Sequence, residues 1–150
     1  MQQKITPNLW FNGNAKEAVD FYLSVFPDSK IVASVNYPTE GLMDFQKDFA
    51  GKVLTIDFEL AGQRFTAINA GPEFTFNEAV SFLITCKDQA EIDYYWSKLS
   101  TVPESEQCGW CKDQFGLSWQ VVPENMDQLM QKPEAFAHMM QMKKIEIDKF

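Results

Sequence analysis

The sequence is poor in the residues that carry most metal and redox chemistry: its 150 residues include one histidine and three cysteines. A structural zinc site needs four ligands, usually cysteine and histidine, and His138 has no such partner at motif spacing. Glycine is also scarce, at seven residues, and no strand is followed by the glycine-rich turn of a common S-adenosylmethionine-dependent methyltransferase. These absences argue against a structural zinc site and against that methyltransferase fold.

Basic residues and long apolar runs are few as well. Thirteen lysines and arginines stand against 21 aspartates and glutamates, which gives a net charge of −8, whereas nucleic-acid binding needs a basic surface. No apolar stretch reaches the about 20 residues of a membrane helix, and residues 1–10 lack the apolar core of a secretory signal. We therefore expect a cytoplasmic protein with reduced cysteines, and neither nucleic acid nor a membrane as a partner.

A repeated helix motif is the strongest internal signal, with NAKEAVDFY at residues 14–22 and DQAEIDYYW at residues 88–96. Each copy begins with a good N-cap residue, Asn14 or Asp88, and has glutamate three positions later. This spacing is typical of a capping box, in which the cap and the glutamate satisfy each other's free backbone N–H groups. The motif predicts two amphipathic helices in equivalent positions of two half-chains.

Strand patterns surround both helices. Strands are predicted at residues 5–11, 30–37, 53–60, 63–70, 79–86, 108–113 and 117–122, a loop at 38–51, and closing helices at 124–131 and 134–144. Each half therefore reads strand–helix–strands. The predicted fold is α+β, with two βαβββ-type modules related by a pseudo-twofold around a cavity, plus C-terminal helices. We expect one domain, with module one at 1–72, module two at 73–123 and the extension at 124–150.

Alternation within the strands predicts which side chains share a face. In the predicted hairpin, Phe65 pairs with Phe58 and shares an apolar face with Ala67 and Asn69, which indicates one possible lining of the cavity together with Leu9. Small-molecule sites commonly combine such apolar surface with a few polar groups.

The last strand divides in the same way. Trp119 and Val121 share a face suited to packing beneath a helix, whereas Ser118 and Gln120 take the opposite face. Ser81 holds the corresponding position on the first strand of that half. The predicted ligand-binding residues are Leu9, Phe65, Ala67, Asn69, Ser81, Ser118 and Gln120, with the register of residues 65–69 left open and no catalytic residue assigned.

The Cys108-x-x-Cys111 pair permits a redox or a zinc interpretation. A redox pair needs its first thiolate at a helix N-terminus, but this pair falls in a predicted strand, where a spacing of three points the side chains to opposite faces. We therefore expect two free thiols.

His138 lies in a predicted helix beside the apolar stripe of Phe136, Met139 and Met140. Such a stripe is typical of core packing or of a subunit contact, and His138 has no evident catalytic partner. The stripe offers one contact for a homodimer.

Several strings along the chain resemble one family. They are ITPNLWF (5–11), AVDFY (18–22), FPDS (26–29), FELAGQ (58–63), NAGP (69–72), QCGW (107–110) and KDQFGLSWQVVP (112–123). Together they resemble the vicinal oxygen chelate superfamily, which includes glyoxalase I, bleomycin-resistance proteins and extradiol dioxygenases. Within it they are similar to the PhnB-like branch, often labelled 3-demethylubiquinone-9 3-methyltransferase. The resemblance implies paired βαβββ modules around a cavity and frequent homodimers.

The resemblance also indicates where a metal would be held. Metal-using members place one ligand on each of four strands, typically His, Glu, His and Glu, and the matching positions here are Pro7, Phe65, Ser81 and Gln120. Proline and phenylalanine cannot ligate through their side chains, and serine and glutamine are weak neutral donors. We therefore expect no metal and no cofactor.

The sequence favours a metal-free small-molecule-binding protein of the PhnB-like type, with a small-molecule ligand and a second copy of itself as partners. Two alternatives stay open: an enzyme acting on a small aromatic or quinone-like substrate, and a structural interaction module. The sequence does not decide between binding and catalysis.

Overall fold

The computed structural model describes residues 3–150. The chain divides into two compact units, Met1–Thr75 and Phe76–Phe150. The first contains β1 (Asn8–Asn12), α1 (Ala15–Val25), β2 (Ser29–Asn36), a 3-10 helix (Asp44–Phe49), β3 (Val53–Leu60) and β4 (Gln63–Ala70). The second contains β5 (Ser81–Cys86), α2 (Gln89–Leu99), a 3-10 helix (Pro103–Ser105), β6 (Trp110–Lys112), β7 (Ser118–Pro123), α3 (Met126–Leu129), α4 (Ala135–Met140) and a 3-10 helix (Ile147–Lys149).

The first unit holds a four-stranded sheet in the order β1-β4-β3-β2, with β1 parallel to β4 and the other pairs antiparallel. The hairpin of β3 and β4 has the bounds predicted from the sequence, and its register places Phe58 opposite Phe65 as predicted. Its turn residues, Ala61 and Gly62, have φ of 50° and 80°. Two positive φ values suit the right-handed twist of a tight hairpin, and glycine accepts them most easily.

Helix α1 covers one face of this sheet and packs against β3 and β4. Its apolar residues recur at helical spacing, and Ala18, Val19 and Tyr22 are fully buried. The Tyr22 ring stacks on Phe58 with 6.4 Å between centroids. This interface is the core of the first unit.

The second unit holds a three-stranded sheet in the order β5-β7-β6, with β5 parallel to β7. Helix α2 packs against this sheet and buries Ile92 and Leu99. No fourth strand is present here among residues 3–150, because the segment that would supply it after α2 forms the 3-10 helix Pro103–Ser105. Proline has no N–H to donate to a strand ladder. The second sheet therefore has one strand fewer than the first.

The C-terminal segment packs on the second unit. The backbone N–H groups of Cys108 and Gly109 donate to the carbonyls of Met142 and Lys143 at 2.7 and 2.8 Å, and Ile145 is completely buried. Gly109 has φ of 91°, and a Cβ there would meet the Val121 carbonyl at 3.1 Å. The segment containing Cys-x-x-Cys thus forms a turn to which the C-terminal segment binds, and the predicted strand at 108–113 is shorter than expected.

The predicted α+β fold with a strand–helix–strands order in each half is confirmed. The bounds of α3 and α4 are narrower than the predicted helices at 124–131 and 134–144. No helix within residues 3–150 is long and apolar enough to cross a membrane.

Candidate functional site

The four predicted site residues of the first unit lie on the face that α1 covers. Leu9 and Phe65 are nearly inaccessible and Ala67 is completely buried. Phe65 stacks on Phe58, which in turn stacks on Tyr22 of α1. The predicted pairing of the strands is confirmed, but the choice of this face as a ligand surface needs correction. The helix buries the more apolar face of the hairpin, so these side chains are core.

Asn69 is the fourth of these residues, and it supports the fold of the first unit. Its Oδ1 accepts a hydrogen bond from the Ala15 N–H at 3.2 Å, and its Nδ2 donates to the Val53 carbonyl at 3.0 Å. Asn14, the predicted cap of α1, makes no side-chain capping bond. The capping box predicted for α1 is therefore not formed, because Asn69, distant in sequence, binds the first N–H of the helix instead.

The opposite, helix-free face of the first sheet is polar. Thr66 Oγ1 donates to Asp57 Oδ1 at 2.7 Å, and Arg64 Nη2 lies 3.6 Å from Asp57 Oδ2. Trp10 Nε1 donates to the Gly71 carbonyl at 2.9 Å. Asp57, Thr66 and Arg64 thus bind one another, and Trp10 binds the backbone of the same unit.

In the second unit, β7 alternates as predicted. Trp119 and Val121 are buried on the face that also carries Cys86. Helix α2 packs on this face, because Cys86 is completely buried whereas Leu83 and Thr85, on the other face of β5, are exposed. Burial first, and the carboxylates of Glu91 and Asp88 next, raise the pKa of the Cys86 thiol to about 12. Ser118 and Gln120 therefore lie on the helix-free face, as the period of two requires.

Three predicted polar residues meet on that helix-free face. Gln120 Nε2 donates to Ser81 Oγ at 2.9 Å. Ser81 is also the direct strand partner of Ser118. The two strands thus bring two hydroxyls and one amide together, although Ser81 and Gln120 are 39 residues apart in sequence.

Ser118 is the unusual member of this group. It is 1% exposed, and among residues 3–150 its Oγ is the one buried side-chain oxygen or nitrogen without a hydrogen-bond partner. Leaving a buried hydroxyl unpaired costs about 1–3 kcal/mol. The site therefore contains a hydroxyl donor whose hydrogen bond is not made within the described residues.

Three further residues on or beside this face were missed by sequence reasoning. Lys112 is the strand partner of Ser118 and forms an ion pair with Glu78. Trp110 pairs with Gln120 on one side, and Leu83, which alternation places on the face of Ser81, pairs with it on the other. Alternation could have found Trp110 and Lys112, once β6 was known to pair with β7. No sequence signal indicates Glu78, which precedes the strand.

The cysteines contribute no chemistry to this face. All three are free thiols. Burial raises the pKa of Cys111 to about 12, with the carboxylates of Asp113 and Glu106 adding to the effect, and burial also raises that of Cys108. A thiol whose pKa is raised is a weak nucleophile near neutral pH. Cys108 lies in a turn with φ of 39°, so no helix N-terminus stabilises its thiolate.

His138 lies on α4, away from these strands in sequence. Its Nε2 is 3.9 Å from a carboxylate oxygen of Glu134, one helical turn earlier. Phe136 and Met140 on the same helix are exposed. They therefore do not complete the core of the second unit.

Comparison with known proteins identifies the family. The family model described as 3-demethylubiquinone-9 3-methyltransferase matches residues 3–122. A PhnB protein from Bacillus cereus, described as a candidate 3-demethylubiquinone-9 3-methyltransferase, is 36% identical, with a TM-score of 0.63 over 80% of this chain and 99% of that one. The chain belongs to the PhnB-like branch of the vicinal oxygen chelate superfamily. No curated protein matches the sequence.

Two more distant structures share the fold of this PhnB-like chain. A protein from Pseudomonas aeruginosa is 19% identical, with a TM-score of 0.59 over 81% of this chain and 98% of that one. A variant of the fosfomycin resistance protein FosX from Listeria monocytogenes is 15% identical, with a TM-score of 0.54 over 87% of this chain and 100% of that one. That FosX structure contains Mn(II) and 1S,2S-dihydroxypropylphosphonic acid.

The PhnB-like chain does not have side chains that fit a superfamily metal. Of the four matching positions, Ser81 and Gln120 hydrogen-bond each other, and Phe65 is buried in the core of its unit. Pro7 has no donor atom in its side chain. Within residues 3–150, no three His, Cys, Asp or Glu side chains are grouped so that they could hold a metal ion. The residues present do not fit the metal chemistry of the superfamily.

Proposed function

We propose that this PhnB-like protein binds a small organic molecule without a metal ion, on the helix-free face of its second sheet. The observation that carries the proposal is the buried Ser118 Oγ, which has no hydrogen-bond partner among residues 3–150. The neighbouring Gln120–Ser81 pair supplies further donors and acceptors. A carbonyl, hydroxyl or carboxyl group on the ligand satisfies these groups.

Binding is favoured over catalysis by the chemistry of this set. The hydroxyls of Ser81 and Ser118 and the amide of Gln120 do not titrate near pH 7, so they are poor general acids or bases. The three cysteine thiols have raised pKa values. The alternative enzyme on an aromatic or quinone-like substrate stays a prediction, and so does the cytoplasmic location.

Removing the Ser118 hydroxyl tests the site. With benzamide as the probe, we expect wild-type amide resonances of Ser81, Ser118 and Gln120 to shift, and Ser118→Ala to weaken binding about tenfold, since a hydrogen bond contributes about 1.4 kcal/mol. The measurement is titration by two-dimensional NMR. The same variant should be as stable as the wild type or slightly more stable, because it removes an unpaired buried hydroxyl.

Thr85→Ala is the matched control, since it removes an exposed hydroxyl from the same face of β5. It should leave benzamide binding unchanged. The proposed site is wrong if both variants weaken binding equally, or if the probe shifts only resonances of residues that lie outside this face.

We also propose that the protein forms a homodimer. The exposed Phe136 and Met140, one turn apart on α4, support this, since they form an apolar stripe outside the core. Sedimentation at micromolar concentration should give twice the 17.2 kDa mass of the chain. A species of monomer mass would refute the dimer.

A further inference from the structure

The proposed binding face carries a row of polar residues that run across its three strands. Strand pairing places Ser81 beside Ser118, and Ser118 beside Lys112. Directly paired residues point to the same face, with Cβ atoms about 4.5–5.5 Å apart. The Lys112 side chain is 25% exposed. The row therefore combines an unpaired buried hydroxyl with a lysine whose side chain is largely covered.

The charge of Lys112 is compensated from outside the sheet. Glu78, which precedes β5, pairs with the Lys112 ammonium, while its own side chain is 59% exposed. The hydrogen bond from Lys112 holds the pKa of Glu78 below its usual value. An exposed carboxylate on an irregular segment gains little from such a pair, so an anionic ligand can displace it.

The next row along the strands is apolar on both sides of Gln120. Leu83, 53% exposed, lies on one side, and the half-buried Trp110 lies on the other. Rows on one face are two residues apart, which is about 6.6 Å along the strand. An apolar ring attached directly to a carboxylate spans this distance.

Resting on the function proposed above, we infer that the ligand of this face is a small carboxylate with an apolar body, and that Glu78 occupies the carboxylate position in its absence. The ligand carboxylate takes the place of Glu78 on Lys112 and accepts a hydrogen bond from the Ser118 hydroxyl. Its apolar body lies on Leu83 and Trp110. The net charge of −8 disfavours anions generally, so a preference for carboxylate has to come from this local arrangement.

Benzoate and benzamide test this inference, because they have nearly the same shape and differ in charge. Glu78→Gln keeps the shape of the side chain and removes its charge, so benzoate affinity should rise about tenfold while benzamide affinity stays within about twofold. Lys112→Met should abolish the preference for benzoate over benzamide. Both affinities are measured by the NMR titration at the Ser118 and Gln120 amides.

Glu104→Gln is the control for net charge. Glu104 is exposed in the 3-10 helix Pro103–Ser105, and its replacement removes one negative charge, as Glu78→Gln does. If Glu78→Gln and Glu104→Gln change benzoate binding equally, the inference is overturned. The same holds if benzoate and benzamide bind equally well to the wild type and to Lys112→Met, although the proposed binding face then stands. If neither probe shifts the Ser118 and Gln120 amides, the proposed function fails, and this inference with it.

Discussion

Replacing Asp113 by alanine is expected to lower the free energy of unfolding by about 3–5 kcal/mol, because several buried donors lose a charged acceptor together. Asp113 is 1% exposed. Its Oδ1 accepts from the backbone N–H groups of Phe115 and Leu117 at 2.8 and 3.1 Å, and its Oδ2 accepts from Trp119 Nε1 at 2.9 Å. Urea unfolding followed by far-UV circular dichroism measures the loss.

Asp113→Asn separates the two hydrogen bonds from backbone N–H groups from the one that the Trp119 side chain donates. An amide oxygen can keep both backbone bonds, but the amide nitrogen then faces the N–H of Trp119, so this variant should lose about half as much stability as Asp113→Ala. A loss below about 1 kcal/mol in both variants would contradict the assignment. The proposed ligand face should keep its benzamide binding in Asp113→Asn, since Trp119 lies on the opposite face of β7.

The parts of this fold that depend on local pattern could be predicted from the sequence. The hairpin of β3 and β4 was predictable to the residue, because a short turn and strict alternation fix its register. The separation of Trp119 from Gln120 follows from the same period of two. Those two residues define the two faces of β7, and with them the orientation of the candidate site.

Other parts depend on contacts between distant residues, which a single sequence does not reveal. Alternation shows that Phe65 and Ala67 share a face with Asn69, but it does not show which face a helix covers. The sequence motif at Asn14 resembles a capping box, yet it is Asn69 of β4 that accepts the hydrogen bond from the first N–H of α1. Tertiary contacts override a local capping preference of about 1 kcal/mol.

The candidate site shows the same division between local and long-range information. Ser81, Ser118 and Gln120 follow from alternation and from the resemblance between the halves. Lys112 joins them through the pairing of β6 with β7, and Glu78 joins through an ion pair from an irregular segment. The charged half of the site is therefore the half that sequence reasoning missed.

Replacing Asn69 by alanine is expected to cost about 2–4 kcal/mol of stability, because the buried N–H of Ala15 and the partly buried carbonyl of Val53 lose their partner. Asn14→Ala is the matched control. An N-cap asparagine usually contributes about 1 kcal/mol, but Asn14 makes no side-chain capping bond. Its replacement should therefore cost less than about 0.5 kcal/mol.

The same pair of variants distinguishes a structural role of Asn69 from the ligand contact that the sequence suggested. If Asn69 supports the fold, Asn69→Ala loses stability in urea unfolding and still binds benzamide at the temperature where it is folded. A stable Asn69→Ala protein that no longer binds the probe would show that Asn69 contacts the ligand, as the sequence predicted. If Asn14→Ala costs more than Asn69→Ala, the helix is capped locally, and the capping box predicted from the sequence is right.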